Sequence, residues 1–368
     1  MTNVHDLVSS YKNKLERMAG HVADMVTSVS KTYLEETVIP NCGGPLLDGK
    51  TDFMHNGCDW NHDEILEAVH DSIRDEHARY LGKKPRKPPT RQELRRFLTT
   101  WKLGHLPPSE PSIDDPDLRA IIKAYDGHAP FTGNGKTTAF PADGKLCIFT
   151  GRTSRQKGID VLLDAIPKVI KEYPALNFLL FNIPTQGEKA LIKTYIDLSI
   201  EASIRDHVRY IFGTAPSIFK LAHVAADIYI APSRWEPFGI MILEANAVGL
   251  PVIGTSVGGI KETIIDARDD DQHGTGLLID KENSDALASA IIDMARAIDA
   301  CEARDPSIAV NIVDVRLKRA TIKNPGIYDL LRVNARARVE ASFRWAHVAR
   351  KELDVIQKAI ANKKARES

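Results

Sequence analysis

The sequence predicts an α/β protein built on a doubly wound, Rossmann-like parallel sheet, preceded by a partial, mostly helical and irregular N-terminal segment. Three observations predict it. From residue 145 onward, short apolar runs alternate with stretches of helical periodicity, as in a parallel sheet covered on both faces. Right-handed crossovers between such strands wind the helices onto both faces. Before residue 145 the alternation is absent, and turn-rich or proline-rich stretches separate helices.

Residues 1–35 read as helical, then mixed, with a short strand candidate at Met25 to Val29. Ser30 follows as an N-cap, with Tyr33 and Leu34 behind it. Residues 36–63 are turn-rich, and Asp63 is expected to cap a helix through Ile65, Val69 and Ile73. GKKPRKPPT (82–90) is a basic, proline-rich connector. In TRQELRRFLTTW, Thr90 and Glu93 have the spacing of a capping box. Residues 104–142 read as an irregular insertion with one helical stretch, DLRAIIKAY.

The strand candidates are LCIFT (146–150), FLLF (178–181), VRYIF (208–212), IYIA (228–231), PVIG (251–254) and GLLI (276–279). The first helix carries Ile159, Leu162, Leu163, Ile166 and Ile170, and Pro167 argues against its continuity. Further helices are expected at Lys189–Ile200, Ser217–Ala226, Gly239–Val248, Gly259–Asp266 and Ser284–Ile298. A second irregular stretch is expected at about 300–328, then a final amphipathic helix, WAHVARKELDVIQKAI. The division is 1–103, 104–142, 143–330 and 331–368.

The composition is that of a globular protein, with 43% hydrophobic and 27% charged residues among 368. Lys+Arg and Asp+Glu both number 49, and a zero net charge argues against coating nucleic acid. Cys42, Cys58, Cys147 and Cys301 are scattered, which disfavours a disulfide framework or zinc site; Cys147 reads as a small core residue. The N-terminus lacks a signal-peptide apolar block, and no run approaches the ~18 apolar residues of a membrane span. The expected location is the cytoplasm.

Ligands of such a sheet bind outside the carboxyl ends of its strands. Three segments fall there. TGRTSRQKG (150–158) places Arg152 and Lys157 between Gly151 and Gly158, ahead of a helix N-terminus. Two cations and helix-end N–H groups suit a diphosphate, although the residues also fit a plain basic turn. PSRWEPFGIMILEA (232–245) sets Glu236 on a loop and Glu244 inside the following helix. Their carboxylates suit sugar or ribose hydroxyls, and equally a cap and a solvated face. Gly239 at the helix start allows close approach of a hydroxyl. TSVGGIKE (255–262) offers Gly258 and Gly259, whose N–H groups could face phosphate. The basic stretch Lys83 to Arg96 reads as a solvated linker and helix face. His55, His62 and His273 read as turn or surface residues without a role.

Together these segments resemble the C-terminal domain of GT-B glycosyltransferases. Gly151, Arg152, Gln156, Lys157 and Gly158 match the phosphate-binding loop, and PSRWEPFGIMILEANAVGLPVI matches the E-x7-E motif. VGGIKE and HGTGLLI match the two following loops, so the resemblance spans about 145–290. TSVSKTYLEE, HNGCDW and FRWAHVARKELDV resemble segments of glycogen and starch synthases. About 20 residues precede the first of these, where the family has a whole domain. The family's K-x-G-G-L loop and acceptor-side histidine are absent, and FNIPTQGE (181–188) replaces a glycine-rich turn.

The resemblance implies the donor half of a GT-B fold, with 1–103 a remnant of the N-terminal domain and hinge and 331–368 closing helices. It implies retaining transfer of glucose from ADP-glucose or UDP-glucose to an α-1,4-glucan. Arg152 and Lys157 would neutralise the departing diphosphate, and Glu236 would contact the hexose. Glu244 would hold the ribose. Gly151, Pro237, Phe238, Gly239, Gly258 and Gly259 would complete donor binding. No metal or cofactor is implied beyond the nucleotide sugar. A second chain supplying the N-terminal domain is the implied partner. The rival readings are a non-catalytic nucleotide-sugar- or glucan-binding regulatory module and a sucrose- or trehalose-type transferase.

Overall fold

In the computed structural model, which describes residues 15–125, 131–133, 136–185, 187–201 and 203–367, the long apolar runs form one parallel sheet. A ribbon of two parallel strands, β1 (Val26–Ser28) and β2 (Thr51–Phe53), precedes it. A small hairpin, β3 (Phe131–Gly133) and β4 (Lys136–Thr137), follows. The six-stranded sheet comprises β5 (Lys145–Arg152), β6 (Leu176–Ile183), β7 (Val208–Phe212), β8 (Ile228–Ala231), β9 (Val252–Thr255) and β10 (Gly276–Ile279). Its order is β7-β6-β5-β8-β9-β10. The chain therefore reverses direction across the sheet between β5 and β8, and a crevice opens there at the carboxyl ends of the strands.

Side-chain alternation divides the strands between two cores. Cys147, Phe149, Phe178, Leu180, Ile228 and Ile230 face one side, covered by helices Ile159–Glu172, Lys189–Ser199 and Ser284–Ala303. Leu146, Ile148, Leu179, Phe181 and Tyr229 face the other, covered by helices Pro216–Ala225 and Ile240–Ala247. Helices His62–Leu81 and Arg91–Thr100 join this second face through Ile65, Leu94, Phe97 and Leu98. Arg95 extends from it to the buried Asp227 at 2.8 Å. Residues 62–103, grouped by sequence with the N-terminal segment, thus share the core of the sheet.

Several local expectations are met. Ser30 Oγ accepts from the Tyr33 N–H, and the Thr90–Glu93 capping box is complete. Others are corrected. Asn61, not Asp63, caps helix His62–Leu81, because its side chain accepts from the N–H groups of Asp63 and Glu64. Helix Ile159–Glu172 runs through Pro167: a mid-helix proline costs about 3 kcal/mol, and the burial of Ile159, Leu162, Leu163, Ile166 and Val169 offsets it. The expected helix Gly259–Asp266 is one turn, Ile260–Thr263, after which Asp266 bridges to Gly276. The stretch expected to be irregular at 300–328 is largely helical, with a 3-10 turn at Pro306–Asn311 and a helix at Val315–Lys323 capped by Asp314. Residues 104–142 hold helix Pro116–Lys123, whose Leu118 and Ile122 enter the first core. The four cysteines are free thiols.

Candidate functional site

The crevice is formed by the loops after β5 and β8, which are locked together through their backbones. The Arg234 N–H donates to the Gln156 carbonyl at 2.8 Å. Gly158 has φ +64, and a Cβ there would lie 2.0 Å from the Pro232 carbonyl oxygen. Only glycine admits that approach. The side chain of Arg234 completes the lock. It donates to both carboxylate oxygens of Asp160 at 2.9 and 2.7 Å, to Glu282 at 2.9 Å and to the Arg155 carbonyl at 2.7 Å.

Inside the crevice, Lys157 Nζ donates to Glu236 Oε2 at 2.5 Å, with side chains 9% and 10% exposed. Arg152 is exposed and, among the described residues, reaches only Gln156 Oε1 at 3.4 Å. The two cations are therefore unequal. The charge on Lys157 is already met by a carboxylate, while that on Arg152 faces solvent.

Glu244 lies in helix Ile240–Ala247, half-buried, and no donor among the described residues bonds its carboxylate. Burial pushes its pKa up to about 7. Burial raises the Tyr229 hydroxyl pKa, and the charges of Glu244 and Glu236 add to this. Glu236 stands in the loop after β8, and Glu244 in the helix that follows it. Gly239, at φ +96, begins the helix between them.

Phe238 is 1% exposed and packs in a small core with Leu243, Val339 and Phe343. One expectation is corrected. The Gly259 N–H donates to the Glu236 carbonyl at 3.0 Å and is not free for a phosphate. Both glycines have a different requirement. A Cβ at Gly258 would lie 1.9 Å from the Glu236 carbonyl oxygen, and one at Gly259 would lie 2.4 Å from Phe238 Cα. They let the loop after β9 pass directly behind Glu236.

Residues from the N-terminal segment complete the surroundings. Ser30 Oγ donates to the Pro237 carbonyl at 2.6 Å. Glu262 accepts from the Lys31 and Thr32 N–H groups at 3.2 and 2.6 Å and pairs with His55 Nε2 at 2.8 Å. Sequence reasoning gave His55 no role and missed Arg234, Asp160 and Glu262. Arg234 and Glu262 stand inside the quoted motifs, and Asp160 lies in the first turn of a helix; those positions were the only signal. Among the described residues, no group of three or more His, Cys, Asp or Glu side chains is arranged to hold a metal ion. No helix among them is long and apolar enough to cross a membrane.

The family described as Glycosyl transferases group 1 matches residues 134–302. The D-inositol 3-phosphate glycosyltransferase of Corynebacterium efficiens is 30% identical over 193 residues, 49% of this chain and 44% of that protein. An uncharacterized glycosyltransferase of Methanocaldococcus jannaschii is 32% identical over 146 residues, 40% of this chain and 34% of its own length. The chain thus spans less than half the length of these curated relatives. Among solved structures, the catalytic domain of starch synthase IV from Arabidopsis thaliana, bound to ADP and acarbose, superposes with a TM-score of 0.55 at 16% identity, covering 94% of this chain and 57% of that one. Sucrose-phosphate synthase from Thermosynechococcus elongatus gives 0.51 at 20% identity, covering 98% and 63%. The likeness to the group 1 family lies in residues 134–302, which hold the sheet, and the solved structures share its GT-B fold.

Proposed function

We propose that this chain is the donor-binding half of a retaining glucosyltransferase of glycogen or starch synthase type, using ADP-glucose or UDP-glucose and an α-1,4-glucan acceptor. The observation that carries the reading is the buried Lys157–Glu236 pair at the sheet's switch point, with Arg152 open beside it. A nucleotide sugar brings a diphosphate and a hexose to one place. The diphosphate draws Lys157 and Arg152, and Glu236, relieved of its cation, accepts from hexose hydroxyls. Charge grows on the diphosphate as the sugar leaves. Lys157, held in the buried part of the crevice, then stabilises the transition state more than the bound donor, and Arg152 adds charge from the solvent side. Glu244, unpaired and half-buried, accepts from the ribose hydroxyls.

Titration calorimetry with ADP-glucose and UDP-glucose tests this reading. One donor is expected to bind, and Glu244→Ala is expected to weaken it at least tenfold, the loss of ~1.4 kcal/mol or more from missing hydrogen bonds to a charged group. Absence of binding by both donors would remove the donor-half reading and favour a non-catalytic module. Acceptor assays with maltoheptaose, D-inositol 3-phosphate and fructose 6-phosphate separate the glucan reading from an inositol-phosphate or sucrose-type transferase. In the proposed arrangement a second α/β unit on a partner chain supplies the acceptor side. A purified chain that elongates glycogen by itself rules out that requirement.

A further inference from the structure

A cavity of about 690 Å³ is lined by Glu236 and by residues after β9 and β10, and Lys157 is not among its lining. Its volume lies in the range of ~300–1,000 Å³ usual for small-molecule sites. One wall is Glu236, Gly258 and Lys261, from the sheet domain. The opposite wall is Tyr33 and Thr37, which lie outside residues 134–302. Trp235 bridges the two walls. Its ring is 11° from parallel with that of Tyr33, with centroids 6.3 Å apart, and the residue is 50% exposed.

The half-exposed Trp235 ring beside that of Tyr33 gives the cavity an aromatic surface. The faces of both rings are electron-rich. A pyranose presents a face of weakly positive C–H groups to such a surface and turns its hydroxyls outward. Here those hydroxyls would meet the carboxylate of Glu236 and the hydroxyl of Thr37. Glu36, Glu236 and Asp280 balance Arg234, Lys261 and Lys281 around the cavity, and Lys261 pairs with Glu36 at 2.9 Å, so the lining has no excess of positive charge that would select a phosphate. We propose that the Tyr33–Trp235 platform is a saccharide subsite that receives a sugar unit of the acceptor, set against the donor crevice across Glu236. This inference rests on the glycosyltransferase reading of that crevice and adds the part of the acceptor site that this chain itself contributes, beside what a partner unit supplies.

The test is saccharide and nucleotide binding by wild type, Trp235→Ala and Trp235→Phe. The probes are maltoheptaose, followed by tryptophan fluorescence and calorimetry, and UDP and ADP, followed by calorimetry. Maltoheptaose is expected to bind wild type and to blue-shift its emission. Trp235→Ala should weaken maltoheptaose at least tenfold and abolish the shift. Trp235→Phe should retain most of the affinity. The nucleotide affinity should stay within twofold in both variants, which also reports that they are folded. Equal maltoheptaose binding by wild type and Trp235→Ala, or none by wild type, overturns the platform. Failure of wild type to bind either nucleotide counts instead against the donor crevice.

Discussion

Lys157 and Glu236 pair inside the protein, and each is nearly removed from water. Removing one partner of such a pair costs about 3–5 kcal/mol, because the other charge is left uncompensated. Replacing both with apolar groups of similar volume is often neutral. Lys157→Met alone is therefore expected to lower unfolding stability by about that amount, and Lys157→Met with Glu236→Leu to recover most of it. Neither variant should bind the donor. Urea unfolding beside calorimetry separates the two roles, and recovery of stability without recovery of binding is the expected outcome. Glu244 behaves oppositely with pH in folding and in binding. Its pKa rises on folding from the usual 4.5 to about 7, so the folded state holds the proton more tightly. Its contribution to stability is complete below pH 4.5 and is lost as pH rises through 7, a change of about 3 kcal/mol. Glu244→Gln should accordingly raise the melting temperature at pH 8 and leave it unchanged at pH 4.5. A ligand hydroxyl needs the ionised carboxylate. Donor affinity should therefore rise about tenfold from pH 6 to pH 8, and this rise should vanish in Glu244→Gln.

At the scale of elements, the site depends on three loops that touch through their backbones. Gly258 sits at φ +45 with its Cα against the Glu236 carbonyl. Gly258→Ala adds backbone strain of ~1–3 kcal/mol and a clash that only a shift of the Glu236 loop relieves. It is expected to weaken donor binding as well as stability. Gly49, at φ +74 with nothing within 4 Å of its would-be Cβ, supplies the comparison. Gly49→Ala should cost only the backbone strain and leave donor affinity intact. Equal affinity losses in both would discount the loop contact. Arg234 ties the loop after β8 to helix Ile159–Glu172 and to Glu282 after β10. Its partners are partly solvated, which limits their worth to stability. The expected effect of Arg234→Ala is local: faster amide exchange across residues 150–158. Arg234→Lys should not restore protection, because one ammonium cannot engage both oxygens of Asp160 as the guanidinium does.

At the scale of the whole molecule, the β1–β2 ribbon and the C-terminal helix are fastened to each other. The C-terminal helix Trp345–Glu367 lies along the β1–β2 ribbon, and Lys351 and Lys358 both reach Asp52, at 2.9 and 2.6 Å. Burial alone would raise the Asp52 pKa, but the two ammonium groups overcome it and hold the carboxyl down to about 2. Its contribution is present above the usual value of 3.8 and is lost as pH falls toward 2, about 2 kcal/mol in all. Asp52→Asn should remove that acid sensitivity and speed amide exchange in residues 345–367. Donor binding should be unchanged, since the crevice lies in the sheet domain. A loss of donor binding in this variant would mean that the ribbon and the closing helix shape the crevice.

Much of the architecture was legible in the sequence because it is local. Three of the six strands, 208–212, 228–231 and 276–279, coincide with their apolar runs, since burial on both faces leaves a continuous hydrophobic signature. Arg152 ends β5, Lys157 and Glu236 follow β5 and β8, and Glu244 lies in the helix after β8, the order in which their motifs run. The helices at 306–323 were missed because their signals are short caps, Asp305 and Asp314, in a polar stretch. The tertiary structure alone decided which of these residues meet. It paired Lys157 with Glu236 across 79 positions and His55 with Glu262 across 207. It buried Phe238, spent the Gly259 amide on a neighbouring loop and brought helices 62–81 and 91–100 onto the sheet. Periodicity and capping report the conformation of a few consecutive residues. The neutralisation of a cation, the shift of a carboxyl pKa and the need for a glycine depend on atoms that only chain folding brings within a few ångströms.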